Sequence, residues 1–364
     1  MIDRRALLAT ATSALVLPVV AAGQGTQLRR RTRKIATEEA FAIPEWCTGM
    51  DALPLTGPEA HERQFLRVNE RSHPTTRAAL LDFEQRLRVM DECGVDMHLL
   101  SLAQPGVQPF EPRAASAMAR RCNDFLAEII RRHPRRFAGL AAVAPQDIDA
   151  PAEVDRAITV LGLNGVLINS NTNDEFLDNP KFDPILAALA RHGAALYLHP
   201  RVPAPSMIQA YIDYRMPGAI WGFGAEAGLH ALRMILSGVF DRHPQLTVVL
   251  GHMGESIPYW LWRIDNHYKK LHAFAGPDFH RLAKLPSEYV RNNFYITTSG
   301  MNSHAVLRFC LEIMGADRIM FAIDYPFESS EESVTFLETA PISDADREKI
   351  AYRNAERVFN LKLL

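Results

Sequence analysis

The stretch IMFAIDY at residues 319–325 decides the fold class of this chain. Its first five residues form an apolar run that is typical of a β-strand buried on both faces, and the run ends abruptly in Asp324. The stretch AALYLHP at residues 194–200 repeats this pattern and ends in His199 and Pro200. A polar side chain at the carboxyl end of a buried strand is typical of the catalytic face of a parallel α/β barrel.

Eight apolar runs of this kind occur along the chain, separated by segments with helical periodicity. The runs cover residues 34–42, 95–102, 137–145, 165–171, 194–200, 246–252, 294–300 and 319–325. In one intervening segment, the spacing of Leu80, Phe83 and Leu87 gives the apolar stripe of a helix that packs on a sheet. A doubly wound open sheet would show the same alternation. The count of eight and the absence of a glycine-rich phosphate loop after the first run favour an α/β fold of the (β/α)8 TIM barrel type.

The composition is that of a soluble globular enzyme. Of the 364 residues, 48% are hydrophobic and 23% are charged, and the formal net charge is -2. These values provide for a large core and argue against nucleic acid or a membrane surface as a partner. The four cysteines, Cys47, Cys93, Cys122 and Cys310, form no C-x-x-C pair, which excludes a zinc ribbon or a dithiol redox motif.

The N-terminal residues have the features of an export signal. Arg4 and Arg5 precede an apolar stretch that runs to Val20, and small residues suited to a signal peptidase follow it. Because the stretch is short and only moderately hydrophobic, residues 1–24 are predicted to be a twin-arginine signal peptide rather than a membrane anchor, and the protein is expected to be periplasmic. An unprocessed N-terminus is the alternative. Residues 25–364 are then expected to form a single domain.

Two long segments, 44–76 and 201–228, each follow a predicted strand and therefore belong to the catalytic face of the barrel. Both are expected to be irregular loops. They carry the aromatic residues Trp46, Phe65, Tyr211, Tyr214, Trp221 and Phe223. These rings either form a pocket for a flat ligand or pack the loops and a subunit interface.

Acidic and imidazole side chains at three strand positions predict a metal site. Glu38 and Glu39 interrupt the apolar first strand, and one of them must face the barrel interior because side chains alternate along a strand. A buried carboxylate without a partner is costly, and a cation at the barrel mouth removes that cost. The sequence therefore predicts one divalent ion held by His199, Asp324 and either Glu38 or Glu39.

A second histidine ends the sixth predicted strand. His252 lies between Gly251 and Gly254, and glycines allow a sharp turn that exposes the imidazole at the mouth. Glu255, three residues further on, is placed to bind a ring nitrogen, which fixes the tautomer and raises the basicity of the ring. We therefore expect His252 and Glu255 to form a proton-transfer pair. The alternative is that His252 is a fourth metal ligand.

Five motifs resemble, in order, those of the amidohydrolase-related metal-dependent decarboxylases, the group of γ-resorcylate, 2,3-dihydroxybenzoate and 5-carboxyvanillate decarboxylases. The motifs are IATEEAFAIPE from Ile35, LYLHPR from Leu196, LGHMGESIPYWLWRIDN from Leu250, FYITTSGM from Phe294 and DRIMFAIDYPFE from Asp317. The resemblance implies a barrel of the metal-dependent hydrolase type. It also implies that His252 and Glu255 are the catalytic pair.

By the same resemblance, Glu38, His199 and Asp324 bind the metal. Many members of the wider superfamily carry His-x-His on the first strand, whereas this chain has Glu38 and Ala40 at the two histidine positions. The loss of one nitrogen ligand favours Mn or Mg over Zn, although all three remain candidates. The fourth predicted strand ends in Asn171 without a lysine or glutamate to bridge a second metal, so a single ion is expected.

The resemblance implies nonoxidative decarboxylation of a small aromatic acid that carries an ortho hydroxyl group. Asp324 would deliver a proton to the carboxyl-bearing ring carbon, while His252 and Glu255 would handle the hydroxyl proton. Arg201 either binds a substrate carboxylate or pairs with a structural acid. A hydrolase such as a lactonase, using a metal-bound water, and a noncatalytic binding protein are the alternatives. A homo-oligomer, dimer or tetramer, is expected.

Overall fold

The computed structural model describes residues 31–57, 59–274, 276 and 280–361. The expected signal at residues 1–24 lies outside these ranges, and the described residues from Arg33 onward form one compact unit. None of the helices in the described ranges has the length and apolarity that crossing a membrane requires.

The strands form the parallel core that the apolar runs predict. Within the described ranges they are β1 Ile35–Phe41, β2 Met97–Leu102, β3 Phe137–Gly139, β4 Ala141–Ala142, β5 Gly165–Asn169, β6 Ala195–His199, β7 Val248–Leu250, β8 Phe294–Thr297 and β9 Ile319–Met320. They pair in the orders β1-β2-β3 and β4-β5-β6-β7-β8-β9, with every pair parallel. β3 and β4 are two pieces of one predicted strand, separated by Leu140, whose N–H donates to the Leu100 carbonyl at 2.8 Å. Each of the eight predicted strands is therefore present.

Helices cover the outside of the strands and fill the connections. They are α1 Pro44–Ala52, α2 Ala60–Ser72, α3 Thr76–Leu81, α4 Phe83–Cys93, α5 Pro112–Arg132, α6 Ala150–Thr159, α7 Asp183–His192, α8 Gln209–Ile212, α9 Gly222–Leu236, α10 Val239–Arg242, α11 Ile257–Phe274, α12 Pro286–Asn293, α13 His304–Met314, α14 Ser330–Thr339, α15 Asp344–Glu348 and α16 Asn354–Val358. Short 3-10 helices lie at Pro180–Phe182 and Ala316–Arg318, and a short π-helix lies at Lys349–Arg353. The alternation of strand and helix confirms the TIM barrel class.

The first strand meets the segment after the last strand. The Thr37 N–H donates to the Phe321 carbonyl at 3.2 Å, and the Ala40 N–H donates to the Tyr325 carbonyl at 2.8 Å. These two bonds join the ends of the strand order. We call this junction the seam.

Alternation along each strand separates an inner from an outer core. In β6, Tyr197 belongs to the inner cluster, whereas Leu196 and Leu198 pack in the outer cluster against helices. In β1 the pairing with β2 shifts register between Ala36 and Glu39. A bulge of this kind reverses the direction in which the following side chains point, and so it determines which of two neighbouring acids faces inward.

The segments 44–76 and 201–228 are more ordered than expected. The first contains α1 and α2, and the second contains α8 and the start of α9. The expectation of irregular loops was therefore wrong. α1 begins at Pro44, a residue favoured in the first turn because its missing N–H would have no helical partner there, and α2 consists mostly of residues with good helix propensity.

Candidate metal centre and active site

The three predicted metal ligands lie together at the carboxyl ends of the strands. Glu38, His199 and Asp324 each offer a ligand atom, and these atoms lie within 4.8 Å of one another. The His199 Nε2 atom is 3.4 Å from Glu38 Oε1. The arrangement combines two carboxylates and one imidazole, a donor set that suits Mn, Mg or Zn.

Glu38 faces the interior, and a set of hydroxyl groups fixes one of its oxygens. Tyr197 donates to Glu38 Oε2 at 2.5 Å, Thr297 donates to it at 3.0 Å, and Ser299 donates as well. Gly251 packs so closely that a Cβ atom there would meet Glu38 Oε1 at 2.8 Å. Sequence reasoning missed the hydroxyl groups, although the polar run at the end of β8 was the signal.

The remaining donor atoms fit a cation. Glu38 Oε1 is buried and has no hydrogen-bond partner, which would be costly without a positive charge beside it. The His199 Nδ1–H donates to the Pro200 carbonyl at 2.8 Å, so Nε2 carries the lone pair that a metal requires. An unsatisfied oxygen and a correctly oriented imidazole therefore face the same point as Asp324.

The two carboxyl groups of the site differ in their affinity for protons. Burial raises the pKa of Asp324 to about 7; the neighbouring Glu38 carboxylate adds to this effect, and His252 opposes it. Burial also acts to raise the pKa of Glu38, but His252, His199 and the hydroxyl hydrogen bonds lower it below its usual value. Glu38 is therefore the ionised member of the pair, and Asp324 can hold a proton near neutral pH.

His252 and Glu255 form the expected pair beside the metal ligands. His252 Nδ1 is 2.7 Å from Glu255 Oε1, while Nε2 lies 3.8 Å from both Glu38 Oε1 and Asp324 Oδ2. Burial acts to lower the pKa of His252, but the acids Glu255, Glu38 and Asp324 raise it well above its usual value. The imidazole is thus oriented by one acid and directs its other nitrogen toward the metal ligands.

The pair lies on an unusual turn. Residues 252–256 all have positive φ, at 49°, 57°, 82°, 50° and 67°, and only Gly254 among them lacks a side chain. The turn is held by the Met253 N–H, which donates to the Thr297 carbonyl at 2.8 Å, and by the His252 N–H, which donates to Ser299 Oγ at 3.1 Å. A left-handed turn brings residues three apart onto one side, so the strained backbone is what places Glu255 against His252.

The helix α9 packs directly against this turn. At Gly228 a Cβ atom would meet the Glu255 carbonyl oxygen at 2.8 Å, a distance that no side chain allows. The close approach therefore requires glycine at this position. α9 is fixed in turn by His230, whose Nε2 accepts from the Leu177 N–H at 2.8 Å and whose Nδ1 lies 3.1 Å from Ser170 Oγ.

A cavity of ≈ 1880 Å³ opens above the site. Its walls include His199, His252 and Asp324 at the base, with Phe65 and Phe223 at the side. The rings of Phe65 and Phe223 contact each other edge to face at 5.4 Å. Aromatic residues of both long segments therefore line the cavity, as the pocket interpretation predicts. Trp46 instead packs in the core.

Arg201 does not reach this cavity. Its side chain is buried, Nε donates to Glu62 Oε2 at 2.9 Å, and a second ion pair joins it to Glu59. Nη1 donates to the Asn171 carbonyl at 3.2 Å. The expectation that Arg201 binds a substrate carboxylate is therefore corrected: this guanidinium takes the other role considered, pairing with structural acids that anchor α2 and the residues before it.

Comparison with known proteins places the chain in a family. The model of the amidohydrolase family matches residues 68–361. The chain belongs to the amidohydrolase family. Among its curated relatives, the γ-resorcylate decarboxylase of Polaromonas sp. is 38% identical over 339 residues, which cover 90% of this chain and 98% of the relative.

Solved structures agree with this assignment. The 5-carboxyvanillate decarboxylase of Sphingomonas paucimobilis is 44% identical, with a TM-score of 0.85 and coverage of 91% of this chain and 100% of that chain. The 5-carboxyvanillate decarboxylase of Novosphingobium aromaticivorans, solved with manganese and 4-hydroxy-3-methoxy-5-nitrobenzoic acid, is 36% identical, with a TM-score of 0.86 and coverage of 90% and 96%. These relatives are carboxy-lyases, which confirms the recognised family and favours the decarboxylase interpretation over the hydrolase alternative.

Proposed function

We propose that this member of the amidohydrolase family is a metal-dependent, nonoxidative decarboxylase of an ortho-hydroxy aromatic carboxylic acid. One observation carries the proposal: an unpartnered buried carboxylate oxygen, an imidazole lone pair and a protonatable carboxyl group share one point at the base of an aromatic cavity. The relatives that cover nearly the whole chain act on aromatic acids of this class.

The metal has a defined place in this proposal. Glu38, His199 and Asp324 would hold one divalent ion, and the bound ion would stabilise negative charge on the phenolate and carboxylate oxygens of the substrate. The walls of the cavity, including Phe65 and Phe223, would hold the ring flat above the site and exclude water.

The proton transfers fall to side chains of this chain. A divalent cation held by Glu38 and Asp324 would offset the negative charge that raises the pKa of His252, so the neutral imidazole would accept the proton of the ortho hydroxyl group and Glu255 would stabilise the resulting imidazolium through Nδ1. Asp324 delivers a proton to the ring carbon that bears the carboxyl group. The bond between that carbon and the carboxyl group then breaks, carbon dioxide leaves, and the ring becomes aromatic again with a hydrogen in place of the carboxylate.

A substrate panel tests the proposal. Purified protein is reconstituted with Mn2+ and incubated with 2,6-dihydroxybenzoate, 2,3-dihydroxybenzoate and 5-carboxyvanillate, and carbon dioxide and the phenolic product are measured together. The matched controls are the corresponding ortho-methoxy acids, which lack the ionisable hydroxyl group and should not react. Hydrolysis of aryl esters or lactones without release of carbon dioxide from any acid would contradict the proposal and support the hydrolase.

Export and assembly are part of the same proposal. Residues 1–24 would direct export by the twin-arginine route, supported by Arg4, Arg5 and the apolar stretch after them. Exposed aromatic side chains such as Trp262 and Tyr259 on α11 support a homo-oligomer. Mass spectrometry of protein recovered from the periplasm tests export, and a full-length cytoplasmic protein would contradict it. Sedimentation velocity tests assembly, and a monomer would contradict the homo-oligomer.

A further inference from the structure

The two neighbouring acids of β1 occupy different environments. Glu38 faces the interior, whereas Glu39 is fully buried on the other face of the strand. Glu39 Oε1 accepts from the Ile323 N–H at 3.0 Å, and Oε2 accepts from the Tyr325 N–H at 3.0 Å. One carboxylate therefore binds the two backbone amides that stand on either side of Asp324.

Asp324 needs such support because its backbone is strained. Its φ is 75°, in the left-handed region that residues with a side chain rarely adopt. Its own carbonyl accepts from the Phe327 N–H at 2.8 Å and the Glu328 N–H at 3.1 Å. Glu39 thus fixes the amides before and after Asp324, and the following turn fixes its carbonyl.

The position of Glu39 in the seam gives these bonds a second effect. In the described ranges no strand ladder joins β1 to β9, and the contact there consists of the two backbone bonds already described together with side-chain bonds. Because Glu38 and Glu39 are consecutive on one strand, attaching Glu39 to the amides around Asp324 also fixes the distance from Glu38 to Asp324.

The surroundings keep Glu39 in place and away from water. Arg86 donates to the Ala40 carbonyl, and its guanidinium lies 4.6 Å from the centre of the Tyr325 ring. His98 Nδ1 lies 3.9 Å from Glu39 Oε2. These buried groups enclose the carboxylate on the side opposite the metal ligands, so Glu39 contacts the site only through the backbone of Asp324 and the strand that it shares with Glu38.

We propose that Glu39 is a positioning residue that sets the separation and orientation of the acids Glu38 and Asp324. It is not itself a ligand, because its carboxyl group lies on the other face of β1, outside the cluster formed by Glu38, His199 and Asp324. The inference rests on the proposed function in one respect, namely that Glu38 and Asp324 bind the metal.

The test compares Glu39→Gln with Thr37→Val. Glutamine keeps the size of the side chain but must direct an NH2 group at one of the two amides, which breaks that bond. Thr37 is fully buried on the same strand, and its hydroxyl donates to the Phe321 carbonyl at 3.0 Å, so valine removes one bond between the same two segments without touching the amides around Asp324. The two changes therefore weaken the seam at different points.

The main readout is Mn2+ binding to metal-free protein by calorimetry, with the electron paramagnetic resonance spectrum of the bound ion as a second readout. For Glu39→Gln we expect Mn2+ to bind about 10- to 100-fold more weakly, with an altered spectrum, as for other residues that orient metal ligands. Thr37→Val should bind Mn2+ with an affinity within about threefold of wild type and should give the wild-type spectrum, even if its melting temperature falls as much as that of Glu39→Gln.

Three results would overturn the inference. Equal changes in Mn2+ affinity in both variants would show that Glu39 acts only through the stability of the fold. Wild-type Mn2+ affinity in Glu39→Gln would show that Glu39 does not position the metal ligands. In both cases, decarboxylation by the wild type would still support the proposed function. Failure of the wild type to bind Mn2+ would overturn the proposed function as well. If Glu39→Gln does not fold, Glu39→Asp, which keeps the carboxyl group but is too short to reach both amides, takes its place with the same expected weakening.

Discussion

The two halves of the active site are built in different ways. The metal half consists of Glu38 on β1, His199 at the end of β6 and Asp324 in the segment after β9, and the barrel brings these donors together. The proton-transfer half, His252 and Glu255, comes from a single turn in which five consecutive residues have positive φ. The comparison shows that one half depends on long-range closure of the fold, whereas the other depends on local strain held by its neighbours.

The strain of the second half has an appreciable cost. A residue with a side chain in the left-handed conformation costs roughly 1–2 kcal/mol, and His252, Met253, Glu255 and Ser256 all adopt it. The packing of α9 and the bonds to Thr297 and Ser299 must offset that cost. Changes in α9 should therefore affect the proton-transfer half alone, and changes in the ligands should affect the metal half first.

Glu38→Gln should have the largest effect. The neutral amide removes the charge that pairs with a cation and puts an NH2 group in place of one oxygen, so Mn2+ should be lost. We expect kcat/KM to fall at least about 10,000-fold, or roughly 5 kcal/mol of barrier. Metal analysis and steady-state kinetics measure both losses. The exposed acid Glu45, changed to Gln, is the control, and a Glu38→Gln protein with full metal content and activity would exclude Glu38 as a ligand.

His252→Gln should separate the two halves. We expect kcat to fall about 1,000-fold, because the proton acceptor is lost, while the Mn2+ affinity stays within about threefold of wild type. Calorimetry and single-turnover decarboxylation measure the two quantities. A parallel loss of Mn2+ affinity would instead show that His252 is a fourth metal ligand, the alternative considered from the sequence.

Gly228→Ala tests the support of the strained turn. The new Cβ atom would lie 2.8 Å from the Glu255 carbonyl oxygen, so the turn must shift and Glu255 must leave its place beside His252. We expect kcat to fall about 100-fold with Mn2+ binding unchanged. Alanine favours helix over glycine by about 1 kcal/mol, so reduced stability is not the expected cause.

Gly276→Ala is the matched control for that variant, since no atom of the described residues lies within 4 Å of its added Cβ. It should keep wild-type activity. If Gly228→Ala keeps wild-type kcat as well, the turn does not depend on the close approach of α9.

Acid should weaken the support of the turn through His230. Burial, with a smaller effect from Arg233, lowers the pKa of His230 to about 3, compared with about 6.5 in an unfolded chain. The unfolded state therefore binds the proton first, so the contribution of His230 to stability is present above pH 6.5 and is lost as the pH falls from 6.5 toward 3. The expected loss between pH 7 and pH 5 is about 2 kcal/mol.

Urea unfolding of the wild type and of His230→Gln at pH 7, 6 and 5 measures this loss. The variant should lack that part of the pH dependence, whereas the exposed-site control His267→Gln should keep it. The same pH dependence in wild type and His230→Gln would assign the effect to other groups.

The sequence predicts the half of the site that lies at strand ends. His199 and Asp324 each end an apolar run, and the geometry of parallel strands brings such ends together. Strict alternation from Ile35 would have pointed Glu39 inward and Glu38 outward. The register shift between β1 and β2 turns Glu38 inward and Glu39 outward instead. This shift depends on pairing with residues far along the chain. The choice of Glu38 could therefore come from family resemblance but not from periodicity.

Other features escape sequence analysis for similar reasons. Glycines beside His252 predict a turn, but four residues with side chains adopt the same left-handed conformation as Gly254, against their own preference. Arg201 lies two residues after the predicted metal ligand His199, and this position suggested that it binds substrate. Its partner Glu62 is distant in sequence, and only the packing of α2 brings the two side chains together. Partners chosen by tertiary packing leave no periodic signal.

The seam has a consequence for when the protein can acquire its ion. Glu38 lies on β1, the first strand of the domain, and Asp324 follows β9, the last, so a nascent chain still attached to the ribosome lacks one of the two acids until Asp324 has been synthesised. Metal uptake is thus delayed until the final strand has docked. From that moment a bound divalent ion would stabilise only a barrel whose first and last strands have already met.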